Sequence, residues 1–550
     1  MISVDCKTMY EIEKNAFEDG FTAEEAMETA AMGMIQKIEL SLGNLYSKRL
    51  LFVCGTGNNG GDGFACARLS LNAGASPLVL MLSSPRSELA KKQLALLEKL
   101  PVKILNFEDF VSGGREEDFL NIIEKEGDAL RFKNFDIIVD CLFGIGFKGS
   151  AGDGALSLIN CINNSDMAVL SCDLPSGMNG DSANFLNPYV RADETITMGY
   201  LKDCLLFAGE DRAGRVFIRD IQGFGLEKLK GEVKAVVQTK EELRSLLPQK
   251  KSYFHKGNSG HLGLFVGSRG MAGAGVIAGR AAMKSGLGLA SYISAEENAL
   301  IYQISNPHIM LKSLDDLDVF TAIGAGCGLG TDREKELFEL IERAACPVVL
   351  DADALNMLAK SPKKLGKSRV ITPHVLECAR LLDISKHDVL NAPFDAVKRL
   401  YERYECSVLL KNNASICFDG ESFIVNALEA KSLAKAGSGD CLLGLLAGII
   451  AQKNARPYDK NDGNSLFGHR KDHFSSEIVL DNSRLTYLNN KRGNEGVNFM
   501  ELPSNPYGTD SKSLALASLW LSLAGNFAYE MQGISSNIND VLDCLGQCIM

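Results

Sequence analysis

The chain contains no run of about 18 apolar residues, the length a helix needs to span a bilayer, so no membrane span is expected. Its opening residues, M-I-S-V-D-C-K, have neither a basic stretch nor an apolar core, so no signal peptide is expected. A positive balance is also missing. The net charge of −11 argues against nucleic acid as a partner. The fifteen cysteines form no C-x-x-C pair, and no His/Cys spacing suits zinc. Many sit inside apolar runs (Cys54, Cys141, Cys172, Cys441), which predicts reduced, buried thiols and a cytoplasmic location. Cys544 and Cys548, one helical turn apart, read as structural. Tryptophan is nearly absent, and the single Trp520 reads as core or interface. What remains is ordinary for a globular protein: 46% hydrophobic and 23% charged residues. At 550 residues the chain exceeds one core, and two or three domains are expected.

The stretch Ala436–Gly448, A-G-S-G-D-C-L-L-G-L-L-A-G, carries the sharpest chemical signal. Glycines let the backbone turn tightly, and an apolar helical run follows at once. The first N–H groups of such a helix suit phosphate oxygens. Asp440, in the same place, can take a proton from a hydroxyl. An anion hole beside a base is what phosphoryl transfer to an alcohol needs. A glycine-rich turn capped by Asp fits G-S-G-D equally well when it is taken alone.

Before that stretch, Lys7–Leu42 reads as two helices, with Thr22, Glu24 and Glu25 as a capping start. A buried strand from Arg49 leads into the loop G-T-G-N-N-G-G-D-G and then a helix, the opening of a doubly wound α/β fold. Further strands are expected at Leu78–Leu82, Phe135–Cys141 and Ala168–Asp173, the last two ending in L-F-G-I-G-F-K-G and D-L-P-S-G. With A-D-E-T-I-T-M-G-Y-L-K, these motifs resemble the YjeF N-terminal domain family, the NAD(P)H-hydrate epimerases, over about residues 5–225. The resemblance implies that Asn58, Asn59, Gly60, Gly61 and Asp62, with Gly144, Ile145, Gly146, Phe147, Lys148, Gly149 and Ser150, hold the dinucleotide hydrate. It implies that Asn59, Asp140 and Ser176 bind potassium and that Asp173 acts at the substrate. Lys202 fits the family's lysine. Two departures stand out: Met27-Glu-Thr-Ala-Ala31 where the family has M-E-N-A-G, and Asp203-Cys204 where a glycine is expected.

Residues 226–249, rich in Lys and Glu, read as a linker. The strand–loop–helix rhythm then restarts. Strands are expected at Leu262–Val266, Val319–Ala325, Pro347–Asp351, Arg369–Thr372 and Ser407–Leu410, implying a second parallel sheet covered by helices. The ordered motifs H-K-G-N-S-G, G-S-R-G-M-A-G-A, G-C-G-L-G, D-A-D-A-L-N, T-P-H and A-G-S-G-D resemble the ribokinase-like YjeF C-terminal domain, the ADP- or ATP-dependent NAD(P)H-hydrate dehydratases, over about residues 250–452. That resemblance implies hydrate contacts from Ala274, Gly328, His374 and Asp440, and nucleotide contacts from Lys411, Asn412, Asn413, Ala414, Ser415 and Gly439. It implies ADP or ATP as co-substrate, Mg2+, and a homo-oligomer. Here K-N-N-A-S stands for the usual K-G-A-G-T, Cys327 for a proline and His308 for an acidic residue.

The expected architecture is therefore α/β in two domains: a Rossmann-like doubly wound sheet at 1–225 and a ribokinase-like sheet at 250–550. The second carries a polar insertion at about 453–512, read mostly as loop. Its His469, Asp472 and His473 read as solvated. A helix is expected to resume at Ser513–Met531. The expected function is bifunctional repair: epimerisation of R and S NAD(P)H hydrates, and dehydration of the S form driven by ADP or ATP. A ribokinase-like small-molecule kinase with a non-catalytic N-terminal binding module is the alternative.

Overall fold

The computed structural model describes residues 1–111, 116–127, 129–221, 223–226, 233–237, 240–248, 256–294, 296–455, 485–488 and 507–548. They form two units. One holds the described residues from Ile2 to Val233 and the strand Leu485–Leu488; the other holds the remainder from Lys234 onward.

In the first unit, the apolar run after Arg49 forms the strand Arg49–Cys54, buried from Leu50 on. Burial on both faces is the signature of a parallel sheet. The strand order is Leu485–Leu488, Arg215–Arg219, Glu194–Met198, Ala168–Cys172, Ile137–Cys141, Arg49–Cys54, Ser76–Met81, Lys103–Asn106, and every pairing is parallel. From Arg49–Cys54 the chain runs outward to one edge, then returns to Ile137–Cys141 on the other flank. The direction of winding thus reverses between those two neighbours, and a crevice opens outside their carboxyl ends. Outside this sheet, a parallel pairing sets Val4 opposite Lys202 and delivers the chain to the helix Cys6–Glu18, capped by Asp5 through the Thr8 N–H at 2.7 Å. The next helix, Ala23–Leu42, starts with the expected Thr22/Glu25 capping box.

The strand Leu485–Leu488 departs from the reading of 453–512 as loop. The four residues L-T-Y-L extend the sheet beside Arg215–Arg219, whose backbone groups would otherwise face an open edge. His469, Asp472 and His473 lie outside the described residues.

The second unit repeats the same wiring. Its order is Val233–Val237, Phe423–Asn426, Ser415–Phe418, Ser407–Leu410, Arg369–Ile371, Val348–Leu350, Ala322–Ala325, His261–Phe265, Leu289–Ile293, Met310–Lys312. Pairing is parallel from Ser407–Leu410 to Met310–Lys312. Ser415–Phe418 is antiparallel to both neighbours, unlike the all-parallel expectation, because the turn from Leu410 to Ser415 is too short for a crossover. After the outlying strand Val233–Val237, the strand His261–Phe265 is again central, and the winding reverses between it and Ala322–Ala325.

Two helices lie together in this unit. A Cβ on Gly444 would sit 2.0 Å from the Ala278 carbonyl oxygen, and one on Gly448 would sit 2.5 Å from the Ser285 hydroxyl. Ala272–Lys284 and Ser438–Lys453 therefore run parallel in near backbone contact, with their N-termini at the same end. The helix Ser511–Gln532 begins two residues before expectation, and buried Trp520 donates its indole N–H to the Leu545 carbonyl at 2.7 Å. All fifteen cysteines are free thiols, and only Cys346 is not fully buried. Among the described residues no helix is long and apolar enough to cross a membrane.

Candidate active sites

In the first unit, the glycine-rich loop and the loop after Ile137–Cys141 meet backbone to backbone. A Cβ on Gly55 would lie 1.8 Å from the Leu142 carbonyl oxygen, and one on Gly60 would lie 2.0 Å from the Gly55 carbonyl oxygen. Only glycine permits that approach. The helix Asn58–Asn72 starts here at Gly57 with no side-chain cap, which leaves its first turn to a ligand.

Beside this turn, buried Asp140 accepts four hydrogen bonds: from the hydroxyls of Ser171 at 2.9 Å and Ser176 at 2.6 Å, and from the N–H groups of Ser176 at 2.9 Å and Leu142 at 3.2 Å. Burial nevertheless holds its carboxyl above the ordinary value. The Ser176 hydroxyl also accepts from the Phe143 N–H at 2.8 Å, so Asp140 and Ser176 lock two strand-end loops together. Those four donors fill the lone-pair sites of the carboxylate. As potassium ligands, Asn59, Asp140 and Ser176 therefore fit only in part, since a cation on Asp140 has to displace a donor. Asn59 can offer a cation only its amide oxygen; its buried amide nitrogen, a donor, has no partner.

Asp173 ends the next strand with φ 65°, a left-handed conformation unusual outside glycine. It pairs with the Lys202 ammonium at 2.7 Å and accepts from the Ile145 N–H at 3.1 Å and the Thr197 hydroxyl at 3.3 Å. Lys202 is 1% exposed and also donates to the Met198 carbonyl at 2.6 Å. A Cβ on Gly144 would lie 2.9 Å from Asp173 Oδ2 and 3.4 Å from Asn59 Oδ1, so the glycine keeps open the point where these groups meet. Burial raises the Asp62 carboxyl well above its ordinary value, with Asp173 and Glu13 adding repulsion and Lys202 opposing it. The structure thus brings Asn59, Asp62, Asp140, Gly144, Ile145, Asp173 and Ser176 to one edge. Phe147 stacks on Phe143 with ring centroids 4.7 Å apart, while Asn58, Gly146, Lys148, Gly149 and Ser150 are exposed. Thr29, where the resembled family has Asn, turns its hydroxyl back to the Glu25 carbonyl at 2.8 Å.

In the second unit, Asp440 lies in the first turn of Ser438–Lys453, behind left-handed Gly437 at φ 94°. Burial raises its carboxyl above the ordinary range; Cys327 and Lys411 oppose the rise, and Asp351 and Asp353 add to it. Gly439 lies over a buried ion pair, because its Cβ would be 3.4 Å from Asp351 Oδ2 and 3.8 Å from Lys411 Nζ. The Lys411 ammonium sits 2.6 Å from Asp351 and 3.9 Å from Glu377. Burial pulls the lysine down, but these two carboxylates outweigh it and hold the ammonium charged. Cys327 completes the group with its sulfur 4.0 Å from Asp351, and burial keeps it a thiol.

The loops after the two central strands also touch here. The Gly267 N–H donates to the Cys327 carbonyl at 2.9 Å and the Ser268 N–H to the Gly328 carbonyl at 2.7 Å. Gly328, at φ 59°, approaches Ala274, whose Cβ would be 3.0 Å from one placed on the glycine. His374 caps the helix Val375–Leu382: its Nδ1 accepts the N–H groups of Leu376 at 3.1 Å and Glu377 at 3.2 Å. That leaves the proton on Nε2, which lies 3.4 Å from Glu377. Burial, then Lys411, lowers its pKa and keeps the ring neutral. Asn412, Asn413 and Ala414 form the turn into the antiparallel strand that begins at Ser415. Among the described residues no three His, Cys, Asp or Glu side chains cluster as a metal site.

The YjeF-related protein N-terminus family matches residues 23–204, and the NAD(P)H-hydrate dehydratase family matches residues 262–478. A protein of Moorella thermoacetica named bifunctional NAD(P)H-hydrate repair enzyme Nnr is 31% identical over 459 residues, 78% of this chain and 83% of its own. The chain belongs to the bifunctional NAD(P)H-hydrate repair enzyme family. The Escherichia coli protein of the same name is 30% identical over 75% of this chain and 78% of its own. A solved structure named as an ADP/ATP-dependent NAD(P)H-hydrate dehydratase of Bacillus subtilis is 22% identical over 57% of this chain and 97% of its own, with a TM-score of 0.41.

For this hydrate-repair chain, reading the sequence missed Asp351, Glu377 and Glu13. Asp351 lies in the D-A-D-A-L-N motif, so its signal was present but carried no role. Glu377 stands three residues after His374 in a capping-box spacing. Glu13 carries no local signal beyond its place on an amphipathic helix.

Proposed function

We propose that the first unit interconverts the R and S epimers of NAD(P)H hydrate and that the second returns the S form to NAD(P)H using ADP or ATP. Family membership supports both halves, and the first turn of Ser438–Lys453 carries the reading of the second. There a carboxylate, a helix N-terminus and a buried ammonium share one end of the unit. Asp440 takes the proton of the hydrate hydroxyl as that oxygen attacks the terminal phosphoryl group. The helix N-terminus receives the charge on the transferring group. Lys411, held by Asp351 and Glu377, faces the nucleotide phosphates, and Ala274 and Gly328 shape the hydrate side. The ring nitrogen lone pair then expels phosphate, and loss of a ring proton restores the double bond. Mg2+ arrives with the nucleotide phosphates. In the first unit Asp173 acts at the hydrated carbon, and the glycine amides at 60 and 61 take the dinucleotide phosphates. A potassium ion, if held by Asn59, Asp140 and Ser176, would supply positive charge for those phosphates. We further propose a homo-oligomeric cytoplasmic enzyme.

The experiment is recovery of NADH absorbance from a mixture of both hydrate epimers with ADP or ATP, magnesium and potassium. Full recovery is expected. A stall once the S epimer is consumed refutes the epimerase half. A stable phosphorylated product refutes the dehydratase half in favour of a kinase.

A further inference from the structure

The first site holds more acid than the proposed function uses. Its amino-terminal helix, Cys6–Glu18, lies across the strand-end loops by one stripe of residues. The Cys6 sulfur would be 2.3 Å from a Cβ on Gly180, the Met9 methyl 2.9 Å from one on Gly199, and the Tyr10 hydroxyl 3.1 Å from one on Gly146. Cys6 N–H also donates to Asp181 at 2.7 Å. The same stripe, one turn further on, arrives at Glu13. The strand pair that sets Val4 opposite Lys202 fixes the start of this helix beside the lysine.

Glu13 is half-buried and feels the Lys202 ammonium and the Asp173 carboxylate. Asp62, from the helix after the glycine loop, feels Glu13, Asp173 and Lys202. Glu13 and Asp62 therefore both lie within electrostatic reach of the Asp173–Lys202 pair. Asp173 holds the Lys202 ammonium directly at 2.7 Å. Like charges so placed cannot all ionise. Burial raises Glu13 to about 7, with Lys202 opposing and Asp173 adding to the rise. The remaining groups near this face are Tyr10 and Asp181, and neither brings positive charge. Glu13 is thus a carboxyl that keeps its proton near neutral pH, on a helix whose preceding turn reaches the hydrate-binding loop at Gly146.

We propose that Glu13 is the proton donor of the epimerase site, acting opposite Asp173. This rests on the epimerase reading of the first unit. The step balances without another reactant. Glu13 gives its proton to the hydroxyl oxygen of the hydrate, and the carbon–oxygen bond breaks with its electrons going to that oxygen, which leaves as water. The ring nitrogen lone pair forms the carbon–nitrogen double bond and leaves a planar carbon. Water adds to the opposite face of that carbon and releases its surplus proton to solvent, from which the Glu13 carboxylate is reprotonated. Asp173, paired with Lys202 at 2.7 Å, faces the cationic ring.

The test uses the full chain with E13Q, E13D and E13A, each assayed for epimerisation of the R hydrate and for dehydration of pure S hydrate. For the wild type, kcat/KM for epimerisation is expected to fall as pH rises through about 7, where Glu13 loses its proton. E13Q should lose about 10²-fold in kcat and lose that alkaline limb, E13D should restore part of the rate, and S-hydrate dehydration should be unchanged. E13Q that keeps both rate and alkaline limb overturns the proposal, as does E13D no better than E13A. A wild type that dehydrates S hydrate but does not epimerise the R form overturns the epimerase reading and Glu13 with it.

Discussion

The two units share their wiring and differ in their chemistry. Each winds outward from a central strand, Arg49–Cys54 or His261–Phe265, and reverses beside it. Each places an Asp–Lys pair just past a strand end, one strand beyond the reversal for the Asp: Asp173–Lys202 at 2.7 Å and Asp351–Lys411 at 2.6 Å. Each has a left-handed residue that is not glycine at that strand end, Asp173 itself at φ 65° and Ala352, next to Asp351, at φ 51°. The difference lies in what surrounds the lysine. In the first unit Lys202 is sealed at 1% exposed, and burial raises the Glu13 and Asp62 carboxyls that feel its charge. In the second, Lys411 is 21% exposed, lies near a helix N-terminus, and leaves Asp440 apart as a base. On the functions proposed above, one topology presents an acid in one unit and a base with an anion cradle in the other.

The strongest way to break the comparison is Asp440→Asn. Dehydration of S hydrate should fall by about 10³-fold while R-to-S conversion continues, as read by epimer-resolved chromatography. Loss of both rates together would mean that the two sites are not separate chemistries. Next in size is Lys202→Met. It strands buried Asp173 and should destabilise the first unit by about 3–5 kcal/mol; Lys411→Met strands Asp351, 1% exposed against 12% for Asp173, and should cost the second unit at least as much. Urea unfolding followed by fluorescence isolates the second unit, because the only tryptophan, Trp520, is there.

The pH dependence should split in opposite directions. A base must be ionised, and burial raises Asp440, so dehydration should fade on the acid side at a higher pH than an ordinary carboxylate would give. Epimerisation should instead fade on the alkaline side. Parallel pH–rate profiles with failing limbs on the same side would remove the contrast. The smallest effects come from single methyl groups. Gly444→Ala drives a Cβ into the Ala278 carbonyl and Gly60→Ala into that of Gly55, each costing about 1–3 kcal/mol. The first should slow only dehydration and the second only epimerisation, measured on the same preparations.

Much of this was legible in the sequence because parallel sheets put their chemistry at strand ends, next to glycine. Asp173, Asp440 and both glycine loops announce themselves in that way. The partners do not. Lys411 and Asp351 stand 60 positions apart on separate strands, and nothing local in either says they will meet. Glu13 looks like any charged residue of an amphipathic helix until the Val4–Lys202 register sets its place. His374 was read as a substrate contact, and the structure adds a cap that its neighbour Glu377 closes from the other side. The edge strand Leu485–Leu488 was hidden because four residues give too short a period to stand out from a polar tract.

The free thiols have a practical consequence. Seven belong to the first unit and eight to the second, and fourteen of the fifteen are shut away from solvent in the native state. A brief pulse of an alkylating reagent, read by peptide mass spectrometry, therefore reports separately on the opening of each unit. Cys6 tracks the amino-terminal helix that carries Glu13, and Cys441 tracks the helix that carries Asp440. The chain holds its own two-channel clock for whether the acid half or the base half comes apart first.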